Sequence, residues 1–312
     1  MSGESSQGLL SPALVRELAS QFGVTPTKKL GQNFVHDANT VRKIVRIAGV
    51  KAHDTVLEVG PGLGSLTLGL TETGASVTAI ELDAVLASQI ENTVVRLQPE
   101  AKFRVIHDDA LRVTELPEQP NILVANLPYN VSVPILMHLL ETFPSIQRVL
   151  VMVQLEVGER IAAAPGSKAY GAPSAKAAWY GPWQLAGTVS RKIFWPVPGV
   201  DSVLVGFTKL AAPRGSATEK WLTFEIINAA FATRRKMLRQ SLQAVRPALV
   251  SDTWAAQSDV HIPNAQATAA QFVSADAISA LLEECGIDPT SRAEQLAVAD
   301  FHRIAIAALH KN

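Results

Sequence analysis

Between Thr55 and Gln154 the chain repeats one pattern: a short apolar run closing on a polar or glycine-rich turn, then a stretch with helical spacing. Apolar runs of this length, separated by helical segments, read as strands buried on both faces. That combination constrains the chain to a parallel sheet covered by helices, an α/β fold. Strands are expected at Thr55–Val59, Ser76–Glu81, Phe103–His107, Asn121–Ala125 and Arg148–Gln154. Helices are expected over Ala84–Leu97, Val133–Glu141 and Leu155–Ala163. Trp183–Ser190 and Ser202–Lys209 read as two more strands, joined by Phe194-Trp-Pro-Val-Pro-Gly199. A directly connected pair is most simply antiparallel, at the sheet edge. Ahead of the sheet, a helix over Ser11–Gln21 carries Pro12 in its first turn, Lys28–Phe34 reads as a loop, and Asp37 caps a helix to Ala48.

After Ala211-Ala-Pro-Arg-Gly-Ser216 the period changes for good. Trp221, Phe224, Ile227, Phe231, Leu238 and Leu242 recur near helical spacing. A boundary near Pro213 is therefore expected, with residues 1–212 forming the α/β domain and 213–312 a smaller helical one. Gly286 to Glu294 reads as a helix stop and restart, with Ser291 and Glu294 at capping-box spacing. Val250 to Ala275 carries little periodicity and no assignable role.

Composition narrows the class. With 312 residues, 47% hydrophobic and 18% charged, the chain can build a substantial core. Its 28 basic and 28 acidic residues cancel, so any nucleic-acid site must be a local patch and not a global field. The single cysteine, Cys285, excludes an internal disulfide and a cysteine-based zinc cluster, and points to a reducing compartment. His36, His53, His107 and His138 lack metal-ligand spacing, so no metal is expected. The first residues lack the cationic segment of a signal peptide, and no apolar run approaches the ~18 residues of a membrane span. A cytoplasmic protein is expected, monomeric because no spare apolar helix stripe is visible.

Polar groups recur where the strands end, which is where open α/β sheets bind ligands. Glu58-Val-Gly-Pro-Gly-Leu-Gly64 follows the first strand, and glycines such as Gly60 and Gly62 let backbone approach a ligand closely. Glu81 ends the second strand, placed to accept both hydroxyl hydrogens of a ribose. Asp109 follows the third and can meet an adenine amino group of the same ligand. Asn126-Leu127-Pro128-Tyr129 follows the fourth. The Asn126 side-chain oxygen and the Leu127 carbonyl can both accept from an exocyclic NH2, and Tyr129 offers a stacking face. An exocyclic adenine nitrogen is a poor nucleophile because its lone pair is delocalised into the ring. Two acceptors pulling on its hydrogens favour a pyramidal nitrogen, and a flipped base recovers its stacking on the tyrosine.

This order of features resembles the class I S-adenosylmethionine-dependent methyltransferases, whose Rossmann-like sheet is mostly parallel with an antiparallel edge. An NAD enzyme would leave Asn126–Tyr129 idle. The likeness narrows further. Leu30-Gly-Gln-Asn-Phe34, Glu58-Val-Gly-Pro-Gly62, Asn126-Leu-Pro-Tyr-Asn-Val-Ser132, Ser167-Lys-Ala-Tyr-Gly171, Phe194-Trp-Pro-Val-Pro-Gly-Val-Asp-Ser202 and Phe231-Ala-Thr-Arg-Arg-Lys236 resemble the KsgA/Dim-type ribosomal RNA adenine dimethyltransferases. The resemblance implies transfer of two methyl groups to each of two adjacent adenines near the 3′ end of small-subunit ribosomal RNA. It implies S-adenosylmethionine as cofactor, held at Asn33, Val35, Gly60, Glu81, Asp109 and Asn126. It also implies a ribosomal RNA or pre-small-subunit particle as partner. Val35 stands where leucine is usual, a mild change for a backbone contact.

Arg234, Arg235, Lys236 and Arg239 place four positive charges within six residues of an expected helix, the main candidate for RNA contact. Lys28-Lys29, Arg42-Lys43 with Arg46, and Arg191-Lys192 are smaller groups. Two alternatives stand beside this reading. An Erm-type methyltransferase acting on large-subunit RNA is disfavoured by Phe194–Ser202 and the Arg-Arg-Lys run. A chiefly RNA-binding assembly factor is disfavoured by the intact cofactor constellation.

Overall fold

The computed structural model describes residues 8–26, 32–233, 235–246 and 264–311. Nine strands form two sheets among these residues. The strands are β1 (Phe34–Val35), β2 (Thr55–Val59), β3 (Ser76–Glu81), β4 (Lys102–His107), β5 (Ile122–Asn126), β6 (Arg148–Gln154), β7 (Gln184–Val189), β8 (Phe194–Trp195) and β9 (Ser202–Thr208). Seven make the main sheet in the order β4-β3-β2-β5-β6-β9-β7. The first five are mutually parallel, with Leu57 opposite Thr78 on one side of β2 and opposite Leu123 on the other. β9 then runs antiparallel between β6 and β7. From β2 the order runs through β3 and β4 on one side and through β5 and β6 on the other. This reversal creates a crevice at the carboxyl ends of β2 and β5.

The strands form where apolar runs can be buried on both faces. Ile122, Leu123, Val124 and Ala125 of β5 are at most 2% exposed. The helices behave likewise: Ala38–Ala48 is capped by Asp37, whose carboxylate accepts from the Thr40 amide at 2.7 Å, and it buries Val41, Ile44, Val45 and Ala48.

Several expectations need correction. Phe34 lies in a strand and not in a loop: β1 pairs with β8 as a two-stranded antiparallel ribbon. Two compact units emerge. One holds the described residues up to Glu159 together with Pro182–Lys209, and the other holds Arg160–Gly181 with the described residues from Leu210 onward. A single boundary near Pro213 misses this because residues 160–181 cross to the second core. Trp179 packs edge-on against Phe224 at 6.0 Å, and the buried Tyr170 hydroxyl donates to the Leu296 carbonyl at 2.8 Å. Helix Ala172–Tyr180 escaped notice because its alanine-rich sequence has no apolar stripe. The expected cap at Ser291 and Glu294 is replaced by Gln295, whose side chain accepts from the Arg292 amide at 2.7 Å. Of the featureless span 250–275, residues 264–275 are described, and they contain a short helix over Ala265–Ala270. No helix among the described residues is long and apolar enough to cross a membrane.

Candidate active site

A cleft opens at the switch point of the sheet. It is lined from the strand ends by Glu58, Gly60, Gly62, Glu81, Asp109 and Asn126, and from β1 and the residues before it by Asn33, Phe34 and Val35. Every residue expected to hold a cofactor thus faces one cleft.

The turn after β2 wraps tightly. Gly62 has φ +60°, and a Cβ there would meet the Phe34 ring at 2.9 Å. Only glycine leaves this floor open with the strap residue seated above it. Glu81, 6% exposed, is held by two amides: Gly62 N–H donates to Oε2 at 3.1 Å and Asp83 N–H to Oε1 at 2.9 Å. Each carboxylate oxygen keeps a lone pair for a further donor, as binding of a vicinal diol requires. Burial raises the Glu81 pKa, with the two amide bonds pulling it down. Asp109 lies half-buried beyond β4, one oxygen accepting from the Leu111 amide at 2.9 Å.

Residues 32–36 form a strap fastened at four points. Gln32 Nε2 donates to Asp83 Oδ2 at 3.1 Å, Asn126 Nδ2 donates to the Asn33 carbonyl at 3.2 Å, the Ser65 hydroxyl donates to the Val35 carbonyl, and the His36 amide donates to the Ile193 carbonyl at 2.9 Å. Phe34 also stacks on Trp195 with ring centroids 6.2 Å apart. The Asn33 bond matters chemically. It commits the amide nitrogen of Asn126 as a donor and leaves Oδ1 as an acceptor.

Asn126 ends β5, and Pro128 also lines the cleft. Leu127 is buried, its amide donating to the Met152 carbonyl at 3.1 Å. The Tyr129 hydroxyl lies 2.9 Å from that of Ser202 at the start of β9.

Two features escaped the sequence reading. Glu58, 1% exposed, faces the cleft from inside β2, and its Oε2 accepts from the Thr67 hydroxyl at 2.7 Å. Burial pushes its carboxyl up to about 8, the Thr67 bond opposes this, and nearby Glu81 adds to the rise. The signal was an acid inside an otherwise apolar strand. Ser202 gave no signal beyond its place in a motif.

The basic group is less regular than expected. The helix Ala217–Ala232 ends at Thr233, which is extended at φ −130° and ψ 90°. Arg235 and Lys236 are therefore exposed on a turn and not on a helix, and Arg239 sits in the short helix Leu238–Ser241. Arg234, Lys28 and Lys29 lie outside the described residues. Two of the smaller groups are partly committed within the fold: Arg42 pairs with Glu72 at 2.8 Å, and Arg191 with Asp201 at 2.9 Å.

Comparison with known proteins is decisive. The model of the family described as ribosomal RNA adenine dimethylase matches residues 24–265. The chain belongs to that family. A ribosomal RNA small subunit methyltransferase A from Leifsonia xyli is 56% identical over 299 residues, covering 95% of this chain and 98% of that protein. One of the same name from Streptomyces coelicolor is 49% identical over 308 residues, covering 98% and 99%. Among solved structures, a dimethyladenosine transferase from Plasmodium falciparum matches with TM-score 0.68 at 23% identity, over 87% of this chain and 95% of that one. The 23S rRNA methyltransferase ErmE matches with TM-score 0.61 at 21% identity, over 88% and 99%. These two likenesses establish the class I methyltransferase fold. As a ribosomal RNA adenine dimethylase, the chain is an S-adenosylmethionine-dependent methyltransferase, and its cleft offers groups that suit that cofactor: a glycine floor, the buried carboxylate of Glu81 and the acid Asp109 beyond β4.

Proposed function

We propose that this protein dimethylates N6 of two adjacent adenines near the 3′ end of small-subunit ribosomal RNA, acting during ribosome assembly. The single observation that carries the chemistry is Asn126, which ends β5, lines the cofactor cleft, and has its amide orientation set by the Asn33 carbonyl. The names of relatives at 49–56% identity favour the small subunit over the large.

In this reading Glu81 holds the ribose of S-adenosylmethionine, Asp109 meets its adenine, and the glycine turn with Asn33 and Val35 encloses the rest. The bound donor supplies an electrophilic methyl group, so no strong base or metal is required. Asn126 Oδ1 and the Leu127 carbonyl accept from the target amino group and favour its pyramidal form. Tyr129 stacks on the flipped base. Holding the reacting groups in line supplies most of the catalysis. Arg234, Arg235, Lys236 and Arg239 contact RNA phosphates, and the helical region from Pro213 onward serves ribosome contact. The protein works as a cytoplasmic monomer.

The test is to incubate the protein with labelled donor and undermethylated small subunits, then map the label. Two adjacent dimethylated adenines near the 3′ end of the small-subunit RNA are expected. Label confined to large-subunit RNA would refute the reading.

A further inference from the structure

Tyr129 is joined to a residue 73 positions away in the chain that has no place in the cleft. Its hydroxyl oxygen lies 2.9 Å from that of Ser202, one donating to the other. Neither residue lines the donor cleft. Ser202 is 0% exposed and is held on both sides within the main sheet, opposite Gln154 of β6 and Val189 of β7. The preceding carbonyl, that of Asp201, accepts from the Leu155 amide at 2.9 Å. The Ser202 hydroxyl therefore projects from one of the best-anchored points in this unit. Tyr129, by contrast, sits half-buried on the turn after β5, outside the sheet.

A tyrosine ring swings about χ1, and a tether on the hydroxyl, which lies on the Cβ–Cγ axis, holds that swing while the packing around the ring sets its rotation about the axis. We propose that Ser202 is a positioning residue that pins the Tyr129 ring at the place where it can stack on the target adenine. The proposal rests on the reading of Tyr129 as the base-stacking residue. It explains why a tyrosine stands at the stacking position, since phenylalanine offers an equal face but no tether. Burial raises the Tyr129 pKa and the Ser202 bond opposes the rise, so the phenol stays protonated at neutral pH and the tether persists. The hydroxyl is thus used for geometry and not for proton transfer.

Single-turnover methylation at saturating donor and saturating undermethylated small subunits tests this. Ser202→Ala and Tyr129→Phe should each slow the reaction roughly three- to ten-fold, the worth of one hydrogen bond. The double variant should be no slower than either single one, because both remove the same tether. Donor affinity by calorimetry should be unchanged in all three. Losses that multiply in the double variant would overturn the proposal, as would a wild-type rate for Ser202→Ala. If Ser202→Ala folds poorly, Tyr129→Phe carries the test alone, and a wild-type rate from it overturns the tether. Tyr129→Ala separates the two levels. A wild-type rate there removes the stacking reading and the proposal with it. A slow Tyr129→Ala beside a fast Ser202→Ala removes the tether only.

Discussion

Asn126 and Glu58 show how much a single side chain in the cleft can be asked to do. The Asn126 nitrogen is occupied by the Asn33 carbonyl, which leaves its oxygen as the acceptor on which the proposed chemistry relies. Replacing Asn126 with alanine should lower single-turnover methylation about a hundred-fold or more, by analogy with removal of one transition-state hydrogen-bonding partner. Subunit affinity should be nearly unchanged, because the bond matters most as the nitrogen becomes pyramidal. Filter binding alongside the rate measurement checks the split, and wild-type turnover would remove Asn126 from the chemistry. Glu58 makes a pH prediction. Its folded pKa of about 8 lies above the ordinary value of 4.5, so between those values the unfolded chain sheds a proton that the folded chain keeps. Stability from this group is full below about pH 4.5 and declines as pH rises towards 8. Glu58→Gln should remove that decline, so denaturant titrations should show the variant gaining on wild type as pH rises. A constant difference across this range would mean that Glu58 is ionised in the folded protein. Asn126 and Glu81 were legible because each ends an apolar run. Glu58 was visible but carried no role, since spacing alone does not say that a strand side chain faces a cleft.

Elements were legible in proportion to the length of their periodic signal. Five parallel strands and the antiparallel pair could be read from apolar runs because each must be buried to exist at all. The ribbon of β1 and β8 could not, since two residues carry no period and the partners lie far apart in the chain. Yet this ribbon belongs to the strap that closes the cofactor cleft. A Cβ on Gly62 would strike the Phe34 ring of this strap. Gly62→Ala would force a side chain into φ +60°, costing roughly 1–2 kcal/mol, and would push the Phe34 ring away from the turn. The free turn should relax out of its donor-binding shape to relieve this strain, so calorimetric titration should show donor binding weakened roughly five- to thirty-fold. Unaltered affinity would show that the strap can give way without disturbing the donor site.

At the scale of the whole molecule, the composition already required that RNA recognition come from a patch, since 28 positive and 28 negative charges cancel. The change of period near Pro213 marked a second body but not its full extent. Residues 160–181 lie before that point and yet pack into the second core through Tyr170 and Trp179, an arrangement that periodicity along the chain cannot register. The same limit applies to the basic run, read as a helix face until Thr233 proved to break it. The turn leaves Arg235 and Lys236 exposed, whereas Arg239 lies close enough to Asp288 to add a little to the lowering that hydrogen bonds from the Thr290 amide and hydroxyl impose on that carboxyl. Arg235 and Lys236 are thus better placed than Arg239 to meet phosphates. Changing Arg234, Arg235 and Lys236 together to alanine should weaken subunit binding and flatten its dependence on salt. Each lost phosphate contact should reduce the slope of log affinity against log salt by roughly 0.7–0.9. Donor affinity should stay at the wild-type level, because the cofactor cleft is built wholly from the other unit. Binding measured at several salt concentrations distinguishes the two meanings of this turn: a reduced slope assigns it to RNA, and an unchanged slope makes it an ordinary solvated surface.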